Sequence, residues 1–213
     1  DLESVVRWCD EAIWLEKGDE RLRGEPRYVI DSYLEQVSAK EEDDLEAANA
    51  GSFSESGFGD HGEIPGQPGS KRWGTGEVEI TGVRMVDHRR ESKWVFHADE
   101  PVSIEVDYVI RRVPEELVFG IGILRADGIV VHGNNTELAK LDVPLPDAPL
   151  GDQVELRGTY RYHVTRLGLV EDSYFLDVAA HRTDGTPYDY HHLRYRFSVR
   201  THQRQAGIFT PEH

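Results

Sequence analysis

The chain has 213 residues, of which 38% are apolar, 30% charged and 9% aromatic, and it carries a formal net charge of −16. That acidity disfavours binding to nucleic-acid phosphates or to anionic lipid surfaces. A single cysteine, Cys9, excludes an internal disulfide framework and a four-cysteine zinc site. No apolar run reaches the ~20 residues of a membrane-spanning helix. The sequence therefore predicts a cytosolic chain with either one domain of ordinary size or a smaller domain with an appendage.

Residues 1–37 alternate between short elements. A strand is predicted at Ala12–Glu16, a turn at Lys17-Gly18, a second extended stretch at residues 21–23 and a helix that opens at Pro26. So short a segment cannot bury the apolar side chains that these elements carry. We therefore expect this region to need a further surface on which to pack.

Residues 38–72 have the composition of a flexible linker. Residues 38–63 alone carry a net charge of −7, and residues 51–76 contain eight glycines. Glycine keeps a backbone flexible and like charges extend it. We interpret this stretch as a solvated tether, with a short helix at residues 41–49.

From Trp73 onward the apolar residues recur with a period of two. Seven such runs are predicted strands, and Asp127-Gly128 and Asp184-Gly185 supply hairpin turns. The runs cover residues 78–85, 102–110, 117–125, 129–132, 154–163, 174–181 and 193–199, the last with Leu193, Tyr195, Phe197 and Val199 facing inward. The predicted fold class is all-β, an antiparallel β-sandwich of immunoglobulin-like or jelly-roll type over residues 73–213, preceded by a small α/β remnant and the linker.

Three of the predicted strands carry polar side chains on the face that turns away from the core. A glycan site needs hydrogen-bonding groups and a stacking surface on a rigid sheet. If the three strands are neighbours, their polar faces form one groove. The alternative is a solvated outer face with cross-strand ion pairs, and the alternation does not decide between them. The candidate residues are Glu105, Asp107, Arg157, Thr159, Arg161, Asp177 and His181, with Tyr160 and Tyr162 predicted on the core side.

Two further candidates lie in predicted loops. Trp94 is either a stacking platform for a sugar ring or a cap on the end of the sandwich. In Asn134-Asn135-Thr136, Asn135 is a candidate sugar contact, and the alternative is that the asparagines bond the backbone of a turn.

The histidine-rich end of the sequence does not have the spacing of a metal site. His191 and His192 are adjacent and face opposite sides of a strand, so Asp189 shares a side only with His191. The sequence therefore predicts no metal site and no cofactor.

The N-terminal region resembles a known family. Residues 8–18 (WCDEAIWLEKG), 24–26 (GEP) and 29–34 (VIDSYL) are similar to the end of an ABC-transporter ATPase domain of the polysaccharide-exporter type. No Gly-Lys-Ser/Thr phosphate loop and no ABC signature motif occurs, so the chain lacks the cradle that holds ATP phosphates. We expect a non-enzymatic C-terminal piece of a longer ATPase subunit.

Short segments of the predicted sandwich resemble, in the same order, the C-terminal domain of Wzt-type O-antigen exporters. They are EVEITGVRM at 77–85, FGIGI at 119–123, GNNT at 133–136, YFLDV at 174–178, YDYH at 188–191 and GIF at 207–209. The resemblance implies an eight-stranded sandwich that forms a homodimer, in some relatives by exchanging a terminal strand. It also implies recognition of a lipid-linked polysaccharide, a membrane-embedded transporter subunit as partner, and a cytoplasmic location peripheral to the inner membrane.

Two other functions remain open. A carbohydrate-active enzyme could use Glu105 and Asp107, whose spacing on one strand sets their carboxyl groups ~6–7 Å apart, within the range of glycosidase pairs. Nothing in the sequence marks either residue as a general acid in an apolar pocket. The third reading is a purely architectural dimerisation domain.

Overall fold

The computed structural model describes residues 2–50 and 71–201, and the chain divides into two compact units between Asp44 and Leu45. The first unit contains helix α1 (Leu2–Trp8), strands β1 (Ala12–Glu16) and β2 (Asp19–Gly24), and most of helix α2 (Pro26–Ala50). β1 and β2 form an antiparallel hairpin whose turn residues, Lys17 and Gly18, both have positive φ, as a two-residue hairpin turn requires. The order of elements predicted for residues 1–37 is confirmed.

Helix α2 continues through part of the predicted linker. It runs for 25 residues and ends at Ala50, because residues 39–50 are rich in alanine and glutamate, which favour a helix. Its last turns belong to the second unit, where Leu45 is buried in the sandwich core. Asn49 Nδ2 donates to the Arg196 carbonyl and Asn49 Oδ1 accepts from the Arg196 N–H, both at 2.9 Å. The prediction of a flexible tether that starts at residue 38 is therefore wrong for residues 38–50. Residues 51–70 lie outside the described part of the chain.

The second unit is a sandwich of two sheets. The larger sheet has the order β3 (Lys71–Trp73), β11 (Pro187–Arg200), β10 (Asp172–His181), β7 (Val118–Arg125) and β8 (Val130–Asn135), with β5 (Val95–His97) pairing at the end of β11. The smaller sheet has the order β4 (Val78–Val86), β6 (Val102–Arg112) and β9 (Gln153–Val164). Every pairing is antiparallel except β5 with β11. The predicted all-β antiparallel class is confirmed.

All seven predicted strands are present, and β3 and β5 were not predicted. Each of these two has only three residues, too few to show a period of two. In β3 the exposure alternates because Arg72 points into the core while Lys71 and Trp73 point outward. The core itself consists of the inward-facing alternate residues of both sheets, including Ile104, Ile121, Leu176 and Phe197.

A bulge in β11 changes which side chains face inward. Leu176 pairs with Tyr195 but Val178 pairs with His191, so residues 192–194 lie opposite the single residue Asp177. Leu193 has a φ of 52° and is only partly buried. The prediction that Leu193 faces inward is therefore wrong, because an extra stretch of backbone breaks the alternation that holds at Tyr195, Phe197 and Val199.

No helix within residues 2–50 and 71–201 has the length and apolar character needed to span a bilayer.

Candidate functional site

The outer face of the larger sheet carries a groove of about 410 Å³ where side chains are small. Across the sheet, Gly120 on β7 pairs with Asn135 on β8 and with Ala179 on β10. One pleat along, Gly122 pairs with Gly133 and with Asp177. Glycine and alanine therefore form the floor of the groove, while larger side chains from the neighbouring strands form its sides.

The three glycines of the groove differ in the space that an added side chain would find. A Cβ atom on Gly120 would lie 3.3 Å from His181 Nε2, and one on Gly122 would lie 3.3 Å from Asp177 Cβ. A Cβ on Gly133 would meet no atom within 4 Å, and none of these three glycines has a positive φ. Gly120 and Gly122 are thus tightly fitted, whereas a side chain at Gly133 would enter open space in the groove.

Two aromatic rings of β11, Tyr190 and His192, form one side of the groove, and Trp73 of β3 packs against both. Tyr190, beside Ala179, stacks on Trp73 with ring centroids 4.5 Å apart and planes 17° from parallel. His192 lies edge-on to Trp73 at 6.3 Å. All three rings are partly exposed. Stacked aromatic surfaces of this kind bind the apolar face of a sugar ring.

Asp177 holds this aromatic side in place. Its Oδ1 accepts the backbone N–H of Leu193 at 2.7 Å, which fixes the bulge. Its Oδ2 accepts from His192 Nδ1 at 2.7 Å and from the Tyr190 hydroxyl at 3.2 Å. Burial, reinforced by the Asp177 charge, raises the pKa of Tyr190 to about 12, so the hydroxyl stays protonated and remains a donor.

His181 and Asn135 present polar groups at the other positions of the groove. His181 Nδ1 lies 2.6 Å from the Arg182 carbonyl, which can only accept, so Nδ1 carries the proton and Nε2 is an acceptor. Asn135 Oδ1 accepts from the Leu138 N–H at 2.7 Å, which orients the amide and leaves its two N–H donors for a ligand. Asn134 Oδ1 accepts the Asn135 N–H, so the predicted backbone bonding of this turn is confirmed.

A buried ion pair fixes the short strand β3 beneath the aromatic stack. Arg72 Nε and Nη2 donate to the two carboxylate oxygens of Asp189 at 2.9 and 2.8 Å, and the Ile80 N–H donates to Oδ2 at 2.7 Å. Burial alone would raise the pKa of Asp189, but hydrogen bonds and charges from His191 and Arg72 outweigh it and lower that pKa. The pair therefore stays ionised and anchors β3, which carries Trp73.

The two adjacent histidines face opposite sides of β11, as predicted. His191 is buried, with Nδ1 2.6 Å from the Tyr195 hydroxyl, and burial lowers its pKa. His192 points into the groove. Within the described residues, no group of three or more histidine, cysteine, aspartate or glutamate side chains is arranged to hold a metal ion.

The outer face of the smaller sheet carries the other predicted polar residues, and its charges pair with one another. Glu105 accepts hydrogen bonds from Arg84, Arg90 and Arg161 at 2.9–3.0 Å. Asp107 bonds Arg84 and accepts from Thr159 Oγ1 at 2.6 Å. This face therefore carries cross-strand ion pairs, which is one of the two alternatives that the sequence left open.

These contacts also determine the ionisation of the two carboxyl groups. Hydrogen bonds from Arg84 and Arg161 lower the pKa of Glu105. Burial would raise the pKa of Asp107, but Arg84 and Thr159 outweigh it and lower the pKa. Both groups are ionised at neutral pH, so neither can act as the general acid that a glycosidase needs. Arg157 pairs with exposed Glu155 at 2.7 Å.

The predicted residues thus divide between two sheets. β6 and β9 are neighbours, with Glu105 opposite Arg161 and Asp107 opposite Thr159. β10 belongs to the larger sheet, so the predicted single face across all three strands does not exist. Asn135, Asp177 and His181 lie together in the groove, whereas Glu105, Asp107, Arg157, Thr159 and Arg161 lie on the smaller sheet.

Trp94 is not a stacking platform. It is buried and lies parallel to Tyr195 with centroids 6.3 Å apart. The Ser198 N–H donates to the Trp94 carbonyl at 2.8 Å, where β5 joins the end of β11. This short parallel pairing draws the ring into the core. The sequence could not indicate this burial, because β5 has only three residues, too few to show a period of two.

Sequence reasoning missed Trp73, Tyr190 and His192 on the aromatic side and the three glycines of the groove. One signal was present: Gly120 and Gly122 alternate with Phe119, Ile121 and Ile123, which leaves a strand face without side chains. The spacing of Tyr190 and His192 also places both on one face, but the bulge and the pairing with β3 are not visible in the sequence.

The fold defines an antiparallel β-sandwich domain, with a groove on its larger sheet, that follows a small helix-and-hairpin unit in the chain. Residues 69–211 match the family described as the Wzt C-terminal domain, and the chain belongs to that family. This confirms the resemblance found in the sequence.

Two similar proteins support the family. The chain is 28% identical over 213 residues to the O-antigen export system ATP-binding protein RfbB of Myxococcus xanthus, covering 100% of this chain and 45% of that protein. The chain therefore spans less than half the length of this relative. It is also similar in fold to the crystal structure of the C-terminal domain of wzt, with a TM-score of 0.57 and 19% identity over 68% of this chain and 87% of that one.

Proposed function

We propose that the sandwich recognises a cell-surface polysaccharide, as the substrate-binding domain of an ABC exporter subunit. The observation that carries this proposal is the groove on the larger sheet, with its side-chain-free floor between an aromatic stack and oriented polar groups. The family to which the chain belongs and the O-antigen exporter relative support the same role.

The groove has the parts that carbohydrate binding requires. A pyranose ring presents one apolar face and a rim of hydroxyls, so it needs a flat surface beside donors and acceptors. Tyr190 supplies the flat surface, with Trp73 stacked against it. Asp177 and His181 Nε2 supply acceptors, and Asn135 supplies donors. Since these groups stand on paired strands, their spacing is fixed before the ligand arrives.

The first unit supports a place within a larger ATPase subunit. It exposes apolar side chains that its own hairpin and helices do not cover, including Trp8, with 78% of its surface exposed, Leu15 and Tyr28. Such side chains suit packing against further protein. We infer that ATP hydrolysis belongs to the remainder of the subunit, and that partners are a second copy of the chain and a membrane-embedded transporter subunit.

A titration with a matched pair of variants tests the proposal. The ligand is surface polysaccharide purified from the source organism, and binding is followed by isothermal calorimetry. Gly133→Trp places a ring in the open groove, and we expect it to abolish saturable binding. Thr81→Trp places the same ring on the exposed outer face of the smaller sheet and should leave binding unchanged.

The outcomes separate the alternatives. Loss of binding in Thr81→Trp alone would move the site to the smaller sheet. Release of free sugar on prolonged incubation would favour a carbohydrate-active enzyme. If wild-type protein shows no saturable binding, the recognition role falls and the architectural dimerisation reading replaces it.

A further inference from the structure

The charge of the groove is one-sided. Among the described residues that line it, none is lysine or arginine, and Asp177 is the single acidic one. Lys71 pairs in register with His192 at the edge of the sheet, but it is exposed and outside the lining. An anionic ligand would therefore meet a carboxylate and three histidines, but no lysine or arginine, among these residues.

The polar groups of the groove are suited to hydroxyl donors. The Leu193 N–H, His192 Nδ1 and the Tyr190 hydroxyl all donate to Asp177, which keeps this carboxylate in place as an acceptor. His181 Nε2 is a second acceptor, since Nδ1 carries the proton. A sugar hydroxyl can donate to either group. A sugar carboxylate or phosphate has no proton to donate to these acceptors, and the Asn135 N–H groups would replace only part of its hydration.

The side of the groove opposite the aromatic stack is apolar. Val130 is 65% exposed and Leu138 is 71% exposed, and Leu124 lies on β7. Val130 and Leu124 pair in register, whereas Leu138 lies further along, beside Asn135. A methyl group placed against Val130 and Leu124 would be removed from water by both.

We propose that the groove selects a neutral sugar unit that carries a methyl group, such as a 6-deoxyhexose, and discriminates against acidic sugars. This inference rests on the proposed function and names the substrate class of the same site. Gly133 is the specificity-determining position, because its outward face is open and it lies between the acceptors and the apolar side.

Three sugars that differ only at C6 test the selection. D-fucose, D-galactose and D-galacturonic acid carry a methyl, a hydroxymethyl and a carboxylate group there, and 6-deoxy-D-glucose, D-glucose and D-glucuronic acid form a second series. Dissociation constants are measured by NMR titration of the wild-type chain. In the series that binds, we expect the methyl sugar to bind about fourfold more tightly than the hydroxymethyl sugar. The carboxylate should bind about tenfold more weakly than the hydroxymethyl sugar.

Variants separate charge from size. Gly133→Lys should strengthen binding of the uronic acid about tenfold relative to Gly133→Gln, which has similar length and no charge. Val130→Ser should reduce the preference for the methyl sugar over the hydroxymethyl sugar. Both sites are exposed, so folding is retained.

Uronic acids that bind wild-type protein as tightly as the neutral sugars would overturn the inference, as would equal binding by the lysine and glutamine variants. If the surface polysaccharide binds and Gly133→Trp abolishes it, but neither C6 series saturates, the proposed function stands and this selectivity is wrong. If the polysaccharide does not bind either, the proposed function itself fails.

Discussion

Each outer face of the sandwich carries a buried carboxylate, and the two faces differ in what that carboxylate does. On the smaller sheet, Glu105 and Asp107 are paired with arginines, and the side chains satisfy one another. On the larger sheet, Asp177 holds two aromatic side chains and a bulge, beside two positions of the neighbouring strand, Gly120 and Gly122, that have no side chain. Many polar residues on a sheet face are therefore a weaker sign of a binding site than a few oriented polar groups beside a floor of glycine and alanine.

Removing Arg72 should have the largest effect and would show how far the groove depends on what lies beneath it. Arg72→Ala leaves the Asp189 carboxylate buried without its main counter-charge, which costs about 3–5 kcal/mol of unfolding free energy. Urea denaturation measures the loss, and glycan binding should fall too because β3 no longer holds Trp73. The double variant Arg72→Met with Asp189→Asn should recover part of the stability. A loss below about 1 kcal/mol in Arg72→Ala would contradict the role of the pair.

Acidification should lower the free energy of unfolding in two stages, because the buried cluster around Arg72 also contains His191 and Asp189. Burial depresses the pKa of His191, so above about pH 6.5 its contribution is intact, and stability is lost below that as the unfolded chain takes up a proton. The pKa of Asp189 is also depressed, so its contribution is lost as the pH falls below about 4.

Urea denaturation between pH 8 and pH 3 should show these stages, with a slope of at most about 1.4 kcal/mol per pH unit for each group. His191→Gln should flatten the first stage, while His88→Gln, at an exposed loop position, should not. An unchanged profile in His191→Gln would show that another group carries the first stage.

Two substitutions of Tyr190 distinguish the contribution of its aromatic ring from that of its hydroxyl hydrogen bond. Tyr190→Ala removes the ring that stacks on Trp73, and we expect polysaccharide affinity to fall about tenfold or more. Tyr190→Phe keeps the ring, loses only the 3.2 Å bond to Asp177, and should retain most of the affinity. Calorimetric titration compares the two. Equal losses would mean that the hydroxyl and not the stacking surface contacts the glycan.

Arg161 on the smaller sheet should give the smallest effect. It is half exposed, and Glu105 keeps Arg84 and Arg90 when Arg161 is removed, so Arg161→Ala should cost less than about 1 kcal/mol after solvent screening. Polysaccharide affinity should not change. A clear loss of affinity with intact stability would erase the contrast between the two faces and return the site to the smaller sheet.

The sequence predicted the seven longer strands and most of their faces, but not which strands are neighbours in the sheets. Period-two runs predicted seven strands and correctly separated inward Tyr174 and Leu176 from outward Asp177 and His181, because alternation is a local property. Which strands pair is not local. For that reason β10 was grouped with β6 and β9, and the stack of Tyr190 on Trp73, 117 positions apart, was missed.

The contrast between tight and open glycines has a consequence for how this domain can change over generations. A single nucleotide change converts a glycine codon into one for a larger residue. At Gly120 and Gly122 the new side chain must displace His181 or Asp177, so such changes damage the whole groove. At Gly133 the same change meets empty space and leaves the neighbouring strands in place. Under the proposed function, variation at this one position would change the ligand without rebuilding the fold that carries the groove.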